Sequence, residues 1–240
     1  MAESKGYYKK LWGKSSHNLV VDELARLSLI EVFIKKISKN KIKILDLGCG
    51  RGWLTKELSK YGEAEGADQC IEQANKLYPE INFFEFNISK NKIKSKYDLI
   101  VSSEVIEHLS QKDQKKFIKI INNSLTSTGC LILTTPNKKK ADKLLKVLND
   151  YEKQPLENYL SFQDLKSLLK ENFSIIDFRT AMFFPIIFRK YKSLSLVYGL
   201  FYIKLRLYKI IDRIFNKSHL GLYNLILARK TTKSSLSPLQ

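Results

Sequence analysis

The sequence has little cysteine and no long apolar run, and each shortage excludes a class of protein. Its three cysteines, Cys49, Cys70 and Cys130, are odd in number and show no C-x-x-C spacing, so neither a disulfide framework nor a zinc site is expected. No run of about 18 apolar residues occurs, which argues against a membrane-spanning helix, and residues 1–5 do not begin the apolar region of a signal peptide. We therefore expect a cytoplasmic protein in a reducing compartment.

Acidic residues are also scarce relative to basic ones. The 240 residues include 42 Lys and Arg but only 24 Asp and Glu, a formal net charge of +18. Two explanations stay open: a lysine-rich composition throughout the chain, or an anionic partner such as a phospholipid surface or a nucleic acid. No aromatic RNA-recognition signature is present, so a nucleic acid is the less expected of the two partners.

The apolar patterning predicts one α/β domain over residues 1–240, since the length suits a single packed core with an elaboration. Residues 6–38 carry apolar side chains at near-helical spacing and predict an N-terminal helical cap. Strand and helix patterns then alternate over residues 40–182, and a last strand follows at 222–229. The first strand is predicted at 42–47, the fourth at 97–102, where the apolar run is continuous, and the fifth at 130–135. This alternation predicts a core built on a parallel sheet with right-handed crossovers.

Residues 183–221 interrupt the last two predicted strands as an insertion. The stretch 193–203 is uncharged and has basic residues on both sides. Such a segment suits a lid over an apolar acceptor, a helix in a membrane interface, or an ordinary packed helix pair with snorkelling lysines. The pattern does not decide between these three possibilities. If the protein contacts a membrane at its surface, we expect residues 186–215 to make that contact.

The most informative stretch is a strand that runs into a glycine-rich turn. Asp46 is followed by Gly48, Gly50 and Gly52 at every second position. Glycine tolerates positive φ and brings no Cβ, so the backbone of this turn can pass close to a ligand. The helix that follows points its free N–H groups towards the same ligand. The dinucleotide-binding turn needs G-x-G-x-x-G instead, and this chain lacks it.

Further polar residues follow the next predicted strands. Asp68 and Gln69 end the second strand, where a carboxylate can accept hydrogen bonds from two ribose hydroxyls. Asn87 and Ile88 follow the third, where a side-chain amide and a backbone N–H can read an adenine edge. Ser103 ends the fourth. Open parallel sheets bind ligands at the carboxyl ends of their strands, so these residues predict one nucleoside site.

The Asp-x-Gly-x-Gly-x-Gly turn resembles motif I of the class I S-adenosylmethionine (SAM) dependent methyltransferases. The segment 103–109, Ser-Glu-Val-Ile-Glu-His-Leu, is similar to the branch that includes the ubiquinone-biosynthesis O-methyltransferases. The resemblance implies a Rossmann-like α/β fold: a seven-stranded, mostly parallel sheet with an antiparallel last strand and helices on both faces. It also implies SAM as cofactor and methyl transfer to a hydroxyl of a small or lipid-like acceptor. The residues that it assigns to SAM are Asp46, Gly48, Gly50, Gly52, Asp68, Gln69, Asn87, Ile88 and Ser103.

Glu104, Glu107 and His108 have i, i+3, i+4 spacing and would share one face if the chain turned helical there. His108 could be the general base for the acceptor hydroxyl, with Glu107 beside it. The three could instead hold Mg²⁺, as the resemblance implies, or only position the site. RNA 2′-O-methylation and a non-catalytic, membrane-associated SAM-binding protein are the alternative functions.

Overall fold

A computed structural model of the chain describes residues 2–13, 17–37, 41–89, 92–145, 155–182, 214 and 216–231. The strands in these ranges are β1 Ile42–Leu47, β2 Gly62–Asp68, β3 Asn82–Glu85, β4 Tyr97–Ser103, β5 Leu125–Pro136, β6 Phe173–Ala181 and β7 Tyr223–Lys230. The α-helices are α1 Ala2–Gly13, α2 Val21–Ile37, α3 Trp53–Leu58, α4 Glu72–Leu77, α5 Gln111–Ser124, α6 Lys138–Leu145 and α7 Phe162–Leu169.

The seven strands form one sheet in the order β3-β2-β1-β4-β5-β7-β6. Strands β1 to β5 run parallel, while β7 is antiparallel to both β5 and β6. The predicted α/β architecture with an antiparallel last strand is therefore confirmed. Because β1 pairs with both β2 and β4, the strand order reverses there, which leaves a crevice at the carboxyl ends of these strands.

Alternate residues of the central strands fill two separate apolar layers. Ile44 of β1 and Leu99 of β4 point to the layer that α2 and α3 cover. Leu45 and Ile100, their neighbours along the same strands, point to the layer covered by α5 and α7. Strands buried on both faces read as continuous apolar runs, which is why β4 was predicted from its sequence.

Three local features differ from the sequence-based predictions. The N-terminal cap is two helices, and α1 begins at Ala2 rather than at residue 6. Helix α6 occupies a lysine cluster for which no helix was predicted. After β4 the chain does not continue as an α-helix: Glu104 has φ +59°, and only Ile106–His108 follow as a 3₁₀ helix.

The segment 183–221 falls mostly outside the described residues, because only 214 and 216–221 of it are described. The proposals of a lid or of membrane contact through 186–215 therefore lie outside them too. Its two ends meet at the sheet, since the N–H of Leu222 donates to the carbonyl of Met182 at 3.0 Å. Among the helices of the described ranges, none combines the length and apolar character needed to cross a bilayer.

Candidate functional site

A cavity of about 450 Å³ lies at the carboxyl ends of β1, β2 and β4. The glycine turn, the chain after β2, β3 and β4, and the first turns of α5 form its walls, and α1 adds two aromatic rings. The lining residues are Tyr8, Trp12, Leu47, Gly48, Ala67, Asp68, Gln69, Phe86, Asn87, Ile88, Glu104, Val105, His108, Leu109, Ser110, Asp113, Phe117, Pro155 and Leu156. The cavity is of the size and mixed polarity typical of sites for small molecules and cofactors.

The glycine turn after β1 has the backbone that its sequence predicts. Gly48, Gly50 and Gly52 have φ of +88°, +52° and +83°. A Cβ on Gly48 would lie 2.2 Å from Cγ2 of Val105, in the loop after β4. The turn and that loop are thus in direct contact, and a side chain at Gly48 would force them apart.

Asp68 is fixed at the cavity wall by backbone donors. Its Oδ2 accepts the N–H of Gly50 at 3.0 Å, and its Oδ1 accepts the N–H of Cys70 at 2.9 Å. Burial raises the pKa of this carboxyl, and the backbone hydrogen bonds oppose the rise. Each oxygen keeps capacity for a further donor, since a carboxylate offers about four acceptor positions.

Five of the nine residues predicted for the cofactor line the cavity: Gly48, Asp68, Gln69, Asn87 and Ile88. The other four, Asp46, Gly50, Gly52 and Ser103, are not among the lining residues. Asp46 is 1% exposed and accepts the hydroxyl of Thr55 at 2.7 Å. Burial raises its pKa to about 7. Gly50 and Gly52 complete the turn, and the Ser103 hydroxyl lies 2.8 Å from that of Thr134.

The two glutamates after β4 point in different directions. Glu104 lines the cavity; its Oε1 accepts the hydroxyl of Thr134 at 2.8 Å, and its Oε2 lies 3.6 Å from Nη1 of Arg26. Glu107 is 1% exposed, lies behind the wall and accepts the hydroxyl of Thr135 at 2.9 Å. Burial raises the pKa of Glu104 to about 8, although the positive charge of Arg26 opposes the rise. Burial also raises the pKa of Glu107, to about 7.

His108 lines the cavity and has one ring nitrogen in a hydrogen bond. Its Nδ1 lies 2.9 Å from the carbonyl oxygen of Leu156. A carbonyl can only accept, so Nδ1 carries the proton and Nε2 of the neutral ring has a lone pair. Nε2 lies 3.8 Å from Oε1 of Glu107, and the Tyr8 and His108 rings make a T-shaped contact with their centroids 5.9 Å apart.

The predicted Mg²⁺ site does not match this geometry. Their spacing predicts one helical face for Glu104, Glu107 and His108, but the structure has a left-handed Glu104 and a short 3₁₀ helix instead. Over the part of the chain that the structure describes, no group of three His, Cys, Asp or Glu side chains could hold a metal ion. Glu104 and Glu107 instead accept threonine hydroxyls, and His108 is bonded to the carbonyl of Leu156.

Two aromatic residues of the N-terminal cap line the cavity. Tyr8 and Trp12 lie one helical turn apart on α1, with their rings stacked 6.5 Å apart. The Trp12 ring covers Gly50, where an added Cβ would lie 3.1 Å from it. Their i, i+4 spacing predicts that the two rings share one face of a helix. The spacing does not predict that this face docks over the cofactor cavity.

Comparison with known proteins agrees with this site. The family model of a methyltransferase domain matches residues 15–174. The ubiquinone biosynthesis O-methyltransferase of Rickettsia conorii is 27% identical over 199 residues, which cover 69% of this chain and 68% of that protein. Among solved structures, N-methyltransferase NodS from Bradyrhizobium japonicum WM9 in complex with S-adenosylhomocysteine (SAH) has a TM-score of 0.66 at 12% identity, covering 95% of this chain and 100% of that one.

A second solved structure, the PH0226 protein from Pyrococcus horikoshii OT3, also has a TM-score of 0.66, at 16% identity and with 94% of this chain and 99% of that chain covered. At such identities the likeness shows the fold. The family match, in contrast, spans more than half of the sequence and includes the glycine turn and the residues that follow β2, β3 and β4. The chain therefore belongs to the methyltransferase-domain family, and it is a SAM-dependent methyltransferase with the class I, Rossmann-like fold.

Proposed function

We propose that this enzyme transfers the methyl group of SAM to a hydroxyl oxygen of a small, lipid-like acceptor such as a prenylated phenol, with His108 as the general base. The name of the Rickettsia conorii relative supports O-methylation in a pathway to a prenylated quinone. The observation that carries the proposal is the hydrogen bond from Nδ1 of His108 to the Leu156 carbonyl, because it leaves the lone pair of a cavity-lining imidazole on Nε2.

The cofactor would lie along the ends of β1, β2 and β3. In this arrangement Gly48 borders the methionine part, and Asp68 accepts the ribose hydroxyls with Gln69 beside it. Asn87 and the N–H of Ile88 bind the adenine edge. Asp46, Gly50, Gly52 and Ser103 support these contacts from behind, since their described partners are protein groups.

Catalysis would depend on alignment and on one proton transfer. SAM supplies an activated methyl group, so the protein has to hold the acceptor oxygen in line with it. Nε2 of His108 takes the proton as the oxygen attacks. The Nδ1–H bond to Leu156 fixes the ring orientation. Glu107, whose Oε1 lies 3.8 Å from Nε2, favours the imidazolium when its carboxyl is ionised.

The test is an acceptor screen with methyl-labelled SAM, followed by His108→Asn on the acceptor that is methylated. Asparagine keeps an N–H that can reach the Leu156 carbonyl but has no base, so kcat should fall by about 10²–10⁴-fold. Affinity for SAH should stay within about twofold in calorimetry, because the cofactor contacts are unchanged. The matched control is His219→Asn, since His219 stacks on Phe178 away from the cavity wall and should leave turnover unchanged. If His108→Asn kept the wild-type kcat, His108 would not be the general base.

A second acceptor class is supported by the net charge of +18: the 2′-hydroxyl of RNA. The same screen separates it, because an RNA oligonucleotide would then be labelled in preference to the phenols, and the rate would fall steeply with added salt. SAH binding without transfer to any acceptor would instead favour a non-catalytic SAM-binding role.

A further inference from the structure

Helix α2 places two charges one turn apart, Glu23 and Arg26, on the side that faces the cofactor site, with side chains only 12% and 10% exposed. Each pairs with a different loop of that site. We propose that Glu23 and Arg26 are positioning residues for SAM, which together hold the glycine turn and the loop after β4 in contact with each other. Neither residue lines the cavity, so each acts through the loop that it holds.

The Glu23 pair fixes the glycine turn. Arg51, between Gly50 and Gly52, is 5% exposed; its Nη1 donates to Oε1 of Glu23 at 3.0 Å and its Nη2 to Oε2 at 2.8 Å. The guanidinium also donates to the carbonyl of Asn18 at 3.1 Å. A two-point fork of this kind sets both the distance and the orientation of its partners, which a single contact does not.

The Arg26 pair fixes the loop after β4. Glu104 has the left-handed φ that non-glycine residues rarely adopt, and such a backbone persists only where its surroundings hold it. Thr134 holds it from the sheet, through a backbone hydrogen bond of 3.1 Å and a side-chain bond of 2.8 Å. Arg26 holds it from the other side, with Nη1 3.6 Å from Oε2.

The surroundings of Arg26 show that this charge needs its partner. It is 8% exposed, and its Nε has no hydrogen-bond partner among the described residues. Its guanidinium lies 4.7 Å from the centroid of the Tyr223 ring. Arg26 lowers the pKa of Glu104 and so favours its carboxylate form. Removal of Arg26 would leave that buried carboxyl without its positive partner, so the loop would rearrange rather than stay in place.

Both pairs act at the same point of the cavity wall. The glycine turn and the β4 loop touch where Gly48 meets Val105, and both residues line the cavity. The rest of α2 has anchors of its own: its apolar face, with Ile30 and Phe33 fully buried, and an ion pair from Lys36 to Asp177 at its far end. Loss of the two charges should therefore loosen the wall while α2 stays docked.

The experiment compares SAH affinity, measured by calorimetry, in Glu23→Gln, Arg26→Met and wild type. Circular dichroism first establishes a temperature at which all are folded. We expect the Kd for SAH to rise by about tenfold or more in each variant. Arg26→Lys, which keeps the charge, should recover part of the loss.

The matched control is Asp177→Asn, which breaks the anchor at the other end of the same helix. It should lower Tm but leave the Kd within about twofold of wild type. If Glu23→Gln fails to fold, Arg51→Lys replaces it, because it keeps the charge and loses the fork. The proposal is overturned if the Kd stays at the wild-type value in the folded variants, or if Asp177→Asn raises it as much as they do.

Discussion

The substitution Gly48→Ala tests how closely the cofactor turn and the β4 loop are fitted. The left-handed φ of +88° costs a residue with a Cβ about 1–2 kcal/mol. The new methyl group would lie 2.2 Å from Cγ2 of Val105, and the displacement that this overlap forces adds about 1–3 kcal/mol. We therefore expect the free energy of unfolding to fall by about 2–5 kcal/mol.

Urea denaturation separates the two contributions. In a Val105→Ala background the clashing Cγ2 is absent, so Gly48→Ala should cost only the backbone part, about 1–2 kcal/mol. Gly6→Ala is the control, because a Cβ on Gly6 meets nothing within 4 Å, and it should stabilise the protein slightly as alanine replaces glycine in a helix. Calorimetry should also show weaker SAH binding in Gly48→Ala. A Gly48→Ala protein with wild-type stability and wild-type SAH affinity would refute the reasoning.

Two further predictions concern a buried acid and the aromatic wall. Burial raises the pKa of Asp46 to about 7, well above its value of about 3.9 in an unfolded chain. Between these two pH values the native state therefore binds one proton more than the unfolded state does. The free energy of unfolding falls as the pH rises through this range. Asp46→Asn removes this loss, so its stability relative to wild type should grow by up to about 3 kcal/mol between pH 5 and pH 8 in urea titrations; a constant difference would contradict it. Trp12→Ala uncovers Gly50 and opens the cavity, and it should raise the Kd for SAH by about tenfold. Leu11→Ala, at an exposed neighbour that does not line the cavity, should leave the Kd for SAH unchanged. An equal rise of the Kd in both variants would contradict a role for the Trp12 ring in the cofactor site.

The strands were predictable where the signal is local. Strand β1 occupies 42–47 as predicted, because a continuous apolar run ends in a glycine turn. Strand β5 was predicted at 130–135 but begins at Leu125. Its first residues include exposed polar side chains and Gly129, which indicate a turn, while the pairing of Leu125 with Tyr97 depends on the fold. Local patterns thus gave the core of the strand but not its start.

The residues of the site also differ in whether a local sequence pattern predicts their position. Asp68 and Asn87 were predicted to line it because Asp68 ends one strand of a parallel sheet and Asn87 follows the next, and the topology brings these strand ends together. The geometry at Glu104 was not predictable. It depends on Arg26, which precedes it by 78 positions in the sequence (26 to 104), and on Thr134 beyond it. A spacing rule assumes a helix, and these long-range contacts select a different backbone.

The hydrogen bond between Leu222 and Met182 has a consequence for how the chain can vary. The two residues sit where β6 ends and β7 begins, beside Pro136 at the end of β5, so the chain between them leaves and re-enters at one point of the sheet edge that carries the cavity. The entropy of closing a loop rises only by about 0.6 kcal/mol for each doubling of its length. Asn216 is bonded back to the sheet, since its carbonyl accepts the N–H of Thr180 at 2.6 Å. Insertions and deletions between Met182 and Asn216 should therefore change the stability of the sheet little, so this stretch can diverge in length while the cavity wall is kept.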